Sequence, residues 1–167
     1  MTYDRGMQRL WAPWRMEYIG SEQPPGCLFC RVLGEAERDE ENLVLARPHG
    51  ALVMLNRFPY NSGHAMVAPE AHAGSLEALD DAQSTDLMRA VRQTLSAIRE
   101  VMKPEGFNVG ANIGRVSGAG VPDHVHIHVV PRWNGDTNFM PVLDDVKVIN
   151  EALTQTAEKL RPAFAAT

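Results

Sequence analysis

Apolar and polar residues alternate in several short stretches of the chain and fall at three- and four-residue steps in two longer ones. Glu41–Arg47 and Ala51–Asn56 are short apolar runs on either side of Pro48-His49-Gly50, the composition of two strands joined by a turn. A loop by its Pro, Asn and Gly content, Arg57-Phe58-Pro59-Tyr60-Asn61-Ser62-Gly63, precedes a third strand, His64–Pro69. Phe107–Gly114 is a strand interrupted by glycines, which suggests that something approaches its backbone closely. The sharpest alternation is Asp123-His124-Val125-His126-Ile127-His128-Val129-Val130-Pro131, a strand that stops at a proline. Val125, Ile127 and Val129 would face a core, and His124, His126 and His128 would share the opposite face, neighbours roughly 6.5–7 Å apart.

The helical period appears twice. Asp80 and Gln83 have the spacing of a capping box, and Leu87, Val91, Leu95, Ile98 and Met102 form an apolar stripe that ends before Pro104-Glu105-Gly106. Asp145–Phe164 predicts a final helix with Val148, Ala152, Leu153 and Leu160 inward. Short hairpin-like strands with segregated helices predict an α+β domain: an antiparallel sheet of about five strands and two main helices.

With 167 residues, 44% hydrophobic and 22% charged, the chain has the size and balance of one globular domain. A net charge of −5 argues against a nucleic acid polymer as partner, which needs a basic face, but leaves room for a small anion held by local groups. No apolar run approaches the roughly 20 residues of a membrane span, and the polar start Met1-Thr2-Tyr3-Asp4-Arg5 lacks a signal-peptide core. Two cysteines, Cys27 and Cys30, make no disulfide framework, so a cytoplasmic location is expected. Trp11 and Trp14 lie in the first 26 residues, an arm that should dock on the domain or on a partner subunit.

Three of the six histidines occupy one face of one strand, for which packing offers no reason. His124 to Val130, with the pattern His-φ-His-φ-His-φ-φ, resembles the signature of the histidine-triad (HIT) family of nucleotide hydrolases and transferases. Asn56-Arg57 and Gly63-His64 match the same family, and Trp11-Ala12-Pro13-Trp14-Arg15 and Pro131–Met140 resemble its diadenosine-tetraphosphate phosphorylase-like branch. The resemblance implies a domain over residues 27–167, a homodimer that continues the sheet across its interface, and a nucleotide substrate.

It also implies roles. His126 would be the nucleophile, forming a covalent nucleotidyl-histidine, with His64 and His128 on the non-bridging oxygens. Asn56 would bind ribose hydroxyls, and Asn112 would lie on the phosphate or ribose side. The loop Ser117-Gly118-Ala119-Gly120 would wrap the α-phosphate with its backbone N–H groups, as small-residue loops can. Gly120 stands where many HIT hydrolases have a glutamine. The phosphorylase-like branch lacks that glutamine too, which favours inorganic phosphate over water as acceptor.

Cys27-Leu28-Phe29-Cys30 is open to several readings: a redox couple, half a zinc site, or chance. A redox pair wants the start of a helix in a thioredoxin-like setting, which nothing nearby supplies. A zinc site needs two more ligands, and His72 and His124 are the candidates, as in many HIT proteins. The implied cofactor is therefore a structural zinc, with no organic cofactor. Two other functions remain in view: a zinc hydrolase with the three histidines as a catalytic metal site, and a nucleotide-binding sensor without turnover. Within the family, hydrolysis of dinucleoside polyphosphates or nucleoside phosphoramidates is the neighbouring reading.

Overall fold

The structure, a computed structural model, describes residues 26–136 and 151–165. The aromatic arm and the start of the expected last helix lie outside the described residues. Five strands form one sheet: β1 Val44–Ala46, β2 Ala51–Leu55, β3 Ala65–Pro69, β4 Gly106–Gly110 and β5 Ile127–Arg132. Their spatial order is β1-β2-β3-β5-β4, and every neighbouring pair is antiparallel. Among the described residues three α-helices accompany the sheet: α1 Leu28–Gly34, α2 Asp81–Met102 and α3 Leu153–Ala165.

β2 and β3 are buried along their whole length because the sheet is covered on both faces. One face carries Val53, Leu55, Ala65, Val67, Ile127 and Val129 against Leu87, Val91 and Ile98 of α2 and Leu160 and Phe164 of α3. The other carries Val44, Leu52, Met54, Met66 and Ala68 against Phe29 and Val32 of α1. That second face explains why β2 reads as a continuous apolar run rather than an alternating one.

The expected helix over residues 81–102 forms as its sequence dictates. Gln83 N donates to Asp80 Oδ1 at 2.8 Å and Asp80 N to Gln83 Oε1 at 3.0 Å, a complete capping box. Lys103 closes it in the left-handed region before Pro104.

Four expectations need correction. α1 is a third helix, too short for its two inward residues, Phe29 and Val32, to show a period. The last helix begins at Leu153, so Ala152, expected on its apolar stripe, precedes it. β4 ends at Gly110 rather than running on to Gly114.

Finally, β5 begins at Ile127 and passes through Pro131 to Arg132. The Pro131 carbonyl accepts from Asn61 Nδ2 at 3.0 Å, so its nitrogen faces the same side, where the β3 ladder has already ended at Ala65↔Val129. A missing N–H there breaks no sheet bond.

The outer edge of β1 is occupied by its own chain. Val44 N donates to Asp39 O at 2.8 Å, and Arg161 Nε of α3 donates to Val44 O at 2.9 Å.

Candidate active site and metal cluster

His64 immediately precedes β3, and His128 lies on β5 with its partner Met66 on β3. The pairing brings two histidines 64 residues apart into contact: His64 Nε2 and His128 Nδ1 are 3.0 Å apart. His126 and His128 meet edge-on, ring centroids 4.8 Å apart. The three expected chemical histidines therefore form one contiguous group. His64 and His126 are buried and His128 is half-buried.

The hydrogen bonds determine where each proton sits. Tyr60 N, which can only donate, points at His64 Nδ1 from 3.0 Å. His64 Nδ1 is then the acceptor, so Nε2 carries the hydrogen and donates to His128 Nδ1. His128 must hold its own proton on Nε2. His126 Nδ1 lies 2.9 Å from the carbonyl oxygen of His124, which can only accept. His126 is protonated on Nδ1, and its lone pair is on Nε2. Burial lowers the His126 pKa from the ordinary histidine value, against the opposing pull of the His124 carbonyl. A neutral imidazole with an Nε2 lone pair beside an N–H donor is the arrangement a nucleophile toward phosphorus requires.

His124 is directed elsewhere. Its Nε2 donates to Pro69 O at 2.8 Å, leaving the Nδ1 lone pair 3.2 Å from Cys27 Sγ and 3.6 Å from Cys30 Sγ. His72 Nδ1 is 3.2 Å from Cys30 Sγ. The segment carrying His72 is held there by Val125 N, which donates to Ala73 O. The ligand atoms of Cys27, Cys30, His72 and His124 all lie within 4.8 Å of one another. Burial, followed by the neighbouring Cys27, raises the Cys30 thiol pKa, and burial lowers that of His124. The cysteines occupy the first turn of α1, Cys27 as its N-cap. A helix does start at the pair, but the sheet is antiparallel and supplies no thioredoxin-like βαβ setting, and two histidines complete the group.

The expected nucleotide-binding residues are less tightly gathered. Asn56 Oδ1 accepts from Phe58 N at 2.9 Å and shapes the turn into the 57–63 loop, while Asn56 N donates to His64 O. Gly110 pairs with His128, and Asn112 follows two residues on in the direction of His126. Ser117 lies in a short 3-10 turn, Arg115–Ser117, with its hydroxyl donating to Gly114 O at 2.7 Å, and Gly118 closes that turn in the left-handed region. Ala119 and Gly120 continue this loop toward the triad. A Cβ added at Gly110 would meet nothing within 4 Å, and Gly110 is not among the positive-φ glycines. Among the described residues, neither backbone conformation nor packing demands a glycine beside His128.

Two contributors were not singled out by sequence. The Tyr60 ring stacks on His64 with centroids 4.8 Å apart, in addition to its N–H bond. Phe29, wholly buried between the two cysteines, packs 5.1 Å from the His124 ring and 4.9 Å from the His126 ring. An aromatic flanked by two cysteines was the available signal for the second.

The HIT domain family matches residues 37–135. An AP-4-A phosphorylase of Mycobacterium tuberculosis is 38% identical over 178 residues, spanning 98% of this chain and 90% of the relative. An adenosine 5'-monophosphoramidase of Schizosaccharomyces pombe is 34% identical over 108 residues, 65% of this chain and 75% of its own. A Zn-bound histidine triad family protein from Mycobacterium smegmatis has the same fold, with TM-score 0.66 and 26% identity over 84% of this chain and 94% of the other. The alternating imidazoles of β5 and its lead-in, joined by a fourth just before β3, thus have the sequence relationships their geometry suggests: the chain belongs to the HIT-domain, or histidine-triad, family.

Proposed function

We propose that the protein is a nucleotidyl-transfer enzyme that cleaves dinucleoside polyphosphates, as its AP-4-A phosphorylase relative is named for doing. The observation that carries this is the protonation pattern: His126 Nδ1 is committed to the His124 carbonyl, so Nε2 is the nucleophilic atom. In the first step His126 Nε2 attacks the α-phosphorus. The N–P bond forms, the P–O bond to the remaining polyphosphate breaks, and its electron pair leaves on that oxygen. His128, with its proton on Nε2, and the Ser117–Gly120 backbone stabilise the charge on the non-bridging oxygens, and His64 holds His128 in the required tautomer. Asn56 and Asn112 contact the ribose and the phosphate side. In the second step an oxygen of inorganic phosphate displaces His126. With diadenosine tetraphosphate the products are ATP and ADP.

Cys27, Cys30, His72 and His124 suit a structural zinc. Two thiols and two imidazoles are a preferred zinc donor set, and a backbone carbonyl holds His124 in the tautomer that directs Nδ1 to the cysteines. The bound ion would tie α1 to the lead-in of β5. It would not serve as a catalytic metal, because His126 and His128 each have one ring nitrogen engaged away from the cysteine cluster. The functional unit is proposed to be a homodimer formed by a 27–167 domain, with the 1–26 arm against it. Its location is proposed to be cytoplasmic; among the described residues no helix is long and apolar enough to cross a membrane.

The deciding experiment is incubation with diadenosine tetraphosphate, with and without inorganic phosphate, followed by chromatography. ATP plus ADP appearing only with phosphate establishes phosphorolysis. AMP plus ATP, or two ADP, independent of phosphate establishes hydrolysis, the reaction class suggested by the phosphoramidase relative. Tight nucleotide binding without turnover or a covalent adduct would identify a sensor instead.

A further inference from the structure

Asn61 sits in a loop whose composition marks it only as a turn, yet it is 7% exposed and its side chain bonds far from its own loop. Nδ2 donates to Pro131 O at 3.0 Å and to Asp136 Oδ2 at 2.8 Å, spanning 70 and 75 residues of chain. An asparagine that merely caps a turn bonds its neighbours, as Asn56 does. The Asp136 carboxylate is itself almost enclosed, its side chain 7% exposed. It also accepts from Arg132 Nε at 2.6 Å, Arg132 Nη2 at 2.9 Å and Trp133 N at 3.2 Å. Arg132 continues to Asn108 Oδ1 of β4 at 2.7 Å. One carboxylate thus ties the 57–63 loop to the end of β5 and, through Arg132, to β4.

Asn61 meets the histidines through its backbone. Asn61 O accepts from His64 N at 3.1 Å, and the preceding Tyr60 N donates to His64 Nδ1 at 3.0 Å. The loop is fastened a second time at Gly63, where φ is +75° and an added Cβ would lie 2.6 Å from Met102 Sδ and 3.2 Å from Pro131 Cγ. Tyr60 N–H can specify the His64 tautomer only while this turn keeps its shape.

We propose that Asn61 and Asp136 are positioning residues: together they hold the Tyr60–His64 turn against β5 and so determine which nitrogen of His64, and through it of His128, carries the proton. The inference rests on the proposed nucleotidyl transfer for its kinetic consequence but not for its tautomer consequence. Asn61→Asp keeps the shape, loses both donors and sets a carboxylate against that of Asp136. Asp136→Asn is the conservative variant, since an amide oxygen still accepts from Asn61.

The test is the histidine 15N–1H correlation spectrum, with kcat and KM for diadenosine tetraphosphate and phosphate measured in parallel. Wild type should show His64 and His128 protonated on Nε2. In Asn61→Asp the His64 signals should move to a mixture of tautomers, with kcat down by about 10- to 100-fold and KM within roughly threefold. Asp136→Asn should keep the wild-type tautomers and most of kcat. If Asn61→Asp does not fold, Asn61→Ala removes the donors without adding charge and is read the same way. Unchanged tautomers in a folded Asn61 variant would overturn the proposal, whatever happens to kcat. If wild type itself turns over none of the nucleotides, the nucleotidyl-transfer reading fails, and the spectra alone still decide the role of Asn61.

Discussion

The His126 ring donates Nδ1–H to the backbone carbonyl of His124, 2.9 Å away, while the His124 ring faces Cys27 and Cys30. One residue therefore contributes its side chain to the two-cysteine, two-histidine cluster and its main chain to the orientation of the proposed nucleophile. The cluster and the reacting imidazole are held by the same short piece of backbone.

His126→Gly should abolish turnover, with kcat reduced by more than about 10⁴-fold, because no other described side chain presents an Nε2 lone pair at that place. Nucleotide should still bind, since the loop and asparagine contacts remain. Steady-state kinetics and calorimetric titration of a non-hydrolysable analogue check this. Near-normal activity in the variant would refute the covalent mechanism.

Chelation, or Cys30→Ser, should lower stability by about 3 kcal/mol, a fall in melting temperature of roughly 6–12 °C for a chain of this size. Activity at low temperature should fall much less. Thermal melts with and without added zinc, alongside metal analysis of the purified protein, make the measurement. Reversible and complete loss of turnover without loss of fold would point to a catalytic metal instead.

The acid side of the pH profile follows from burial of His126, which holds its folded-state pKa below the ordinary histidine value. The neutral ring is the reactive one, so kcat/KM should stay flat from pH 8 down past the unfolded value of about 6.5 and decline only below it. Stability has the same sign. Below about pH 6.5 the unfolded chain takes up the proton first, so stability falls with pH until the folded-state pKa is passed. Urea midpoints across this range should show less of that fall in His126→Asn.

The histidine row, its apolar partners, the capped helix α2 and the Cys27–Cys30 pair were legible in sequence because each is a short-range pattern. Alternation puts Ile127 and Val129 in the core under the helices, and buries Val125 before them, whatever the neighbours are. What was not legible depends on contacts between distant residues. Helix α1 is only seven residues long, and its stability comes from Phe29 and Val32 packing on the sheet rather than from propensity. Pro131 reads as a strand end until the loop that flanks it is known. The tautomers of His64 and His128 depend on a backbone N–H from a loop whose sequence announces only a turn.

Gly110→Val should leave folding unchanged or slightly improved, because valine suits a strand and the space beside Gly110 is open. Position 110 pairs with His128, so a branched side chain there would encroach on the nucleotide. KM should rise by about tenfold while the melting temperature holds. A raised KM would show that the glycine serves the ligand, and an unchanged one would show that it does not.

The guarded rim of β1 has a consequence for self-association. With Asp39 O and Arg161 Nε already bonded to Val44, no second copy can lay a strand along that border. A filament of sheets stacked end to end needs two mutually receptive borders, and among the described residues the one at β1 is already taken. If the sheet extends through β4 instead, pairing β4 with its own copy about a two-fold axis closes the assembly at two copies and leaves no border from which a fibre could grow.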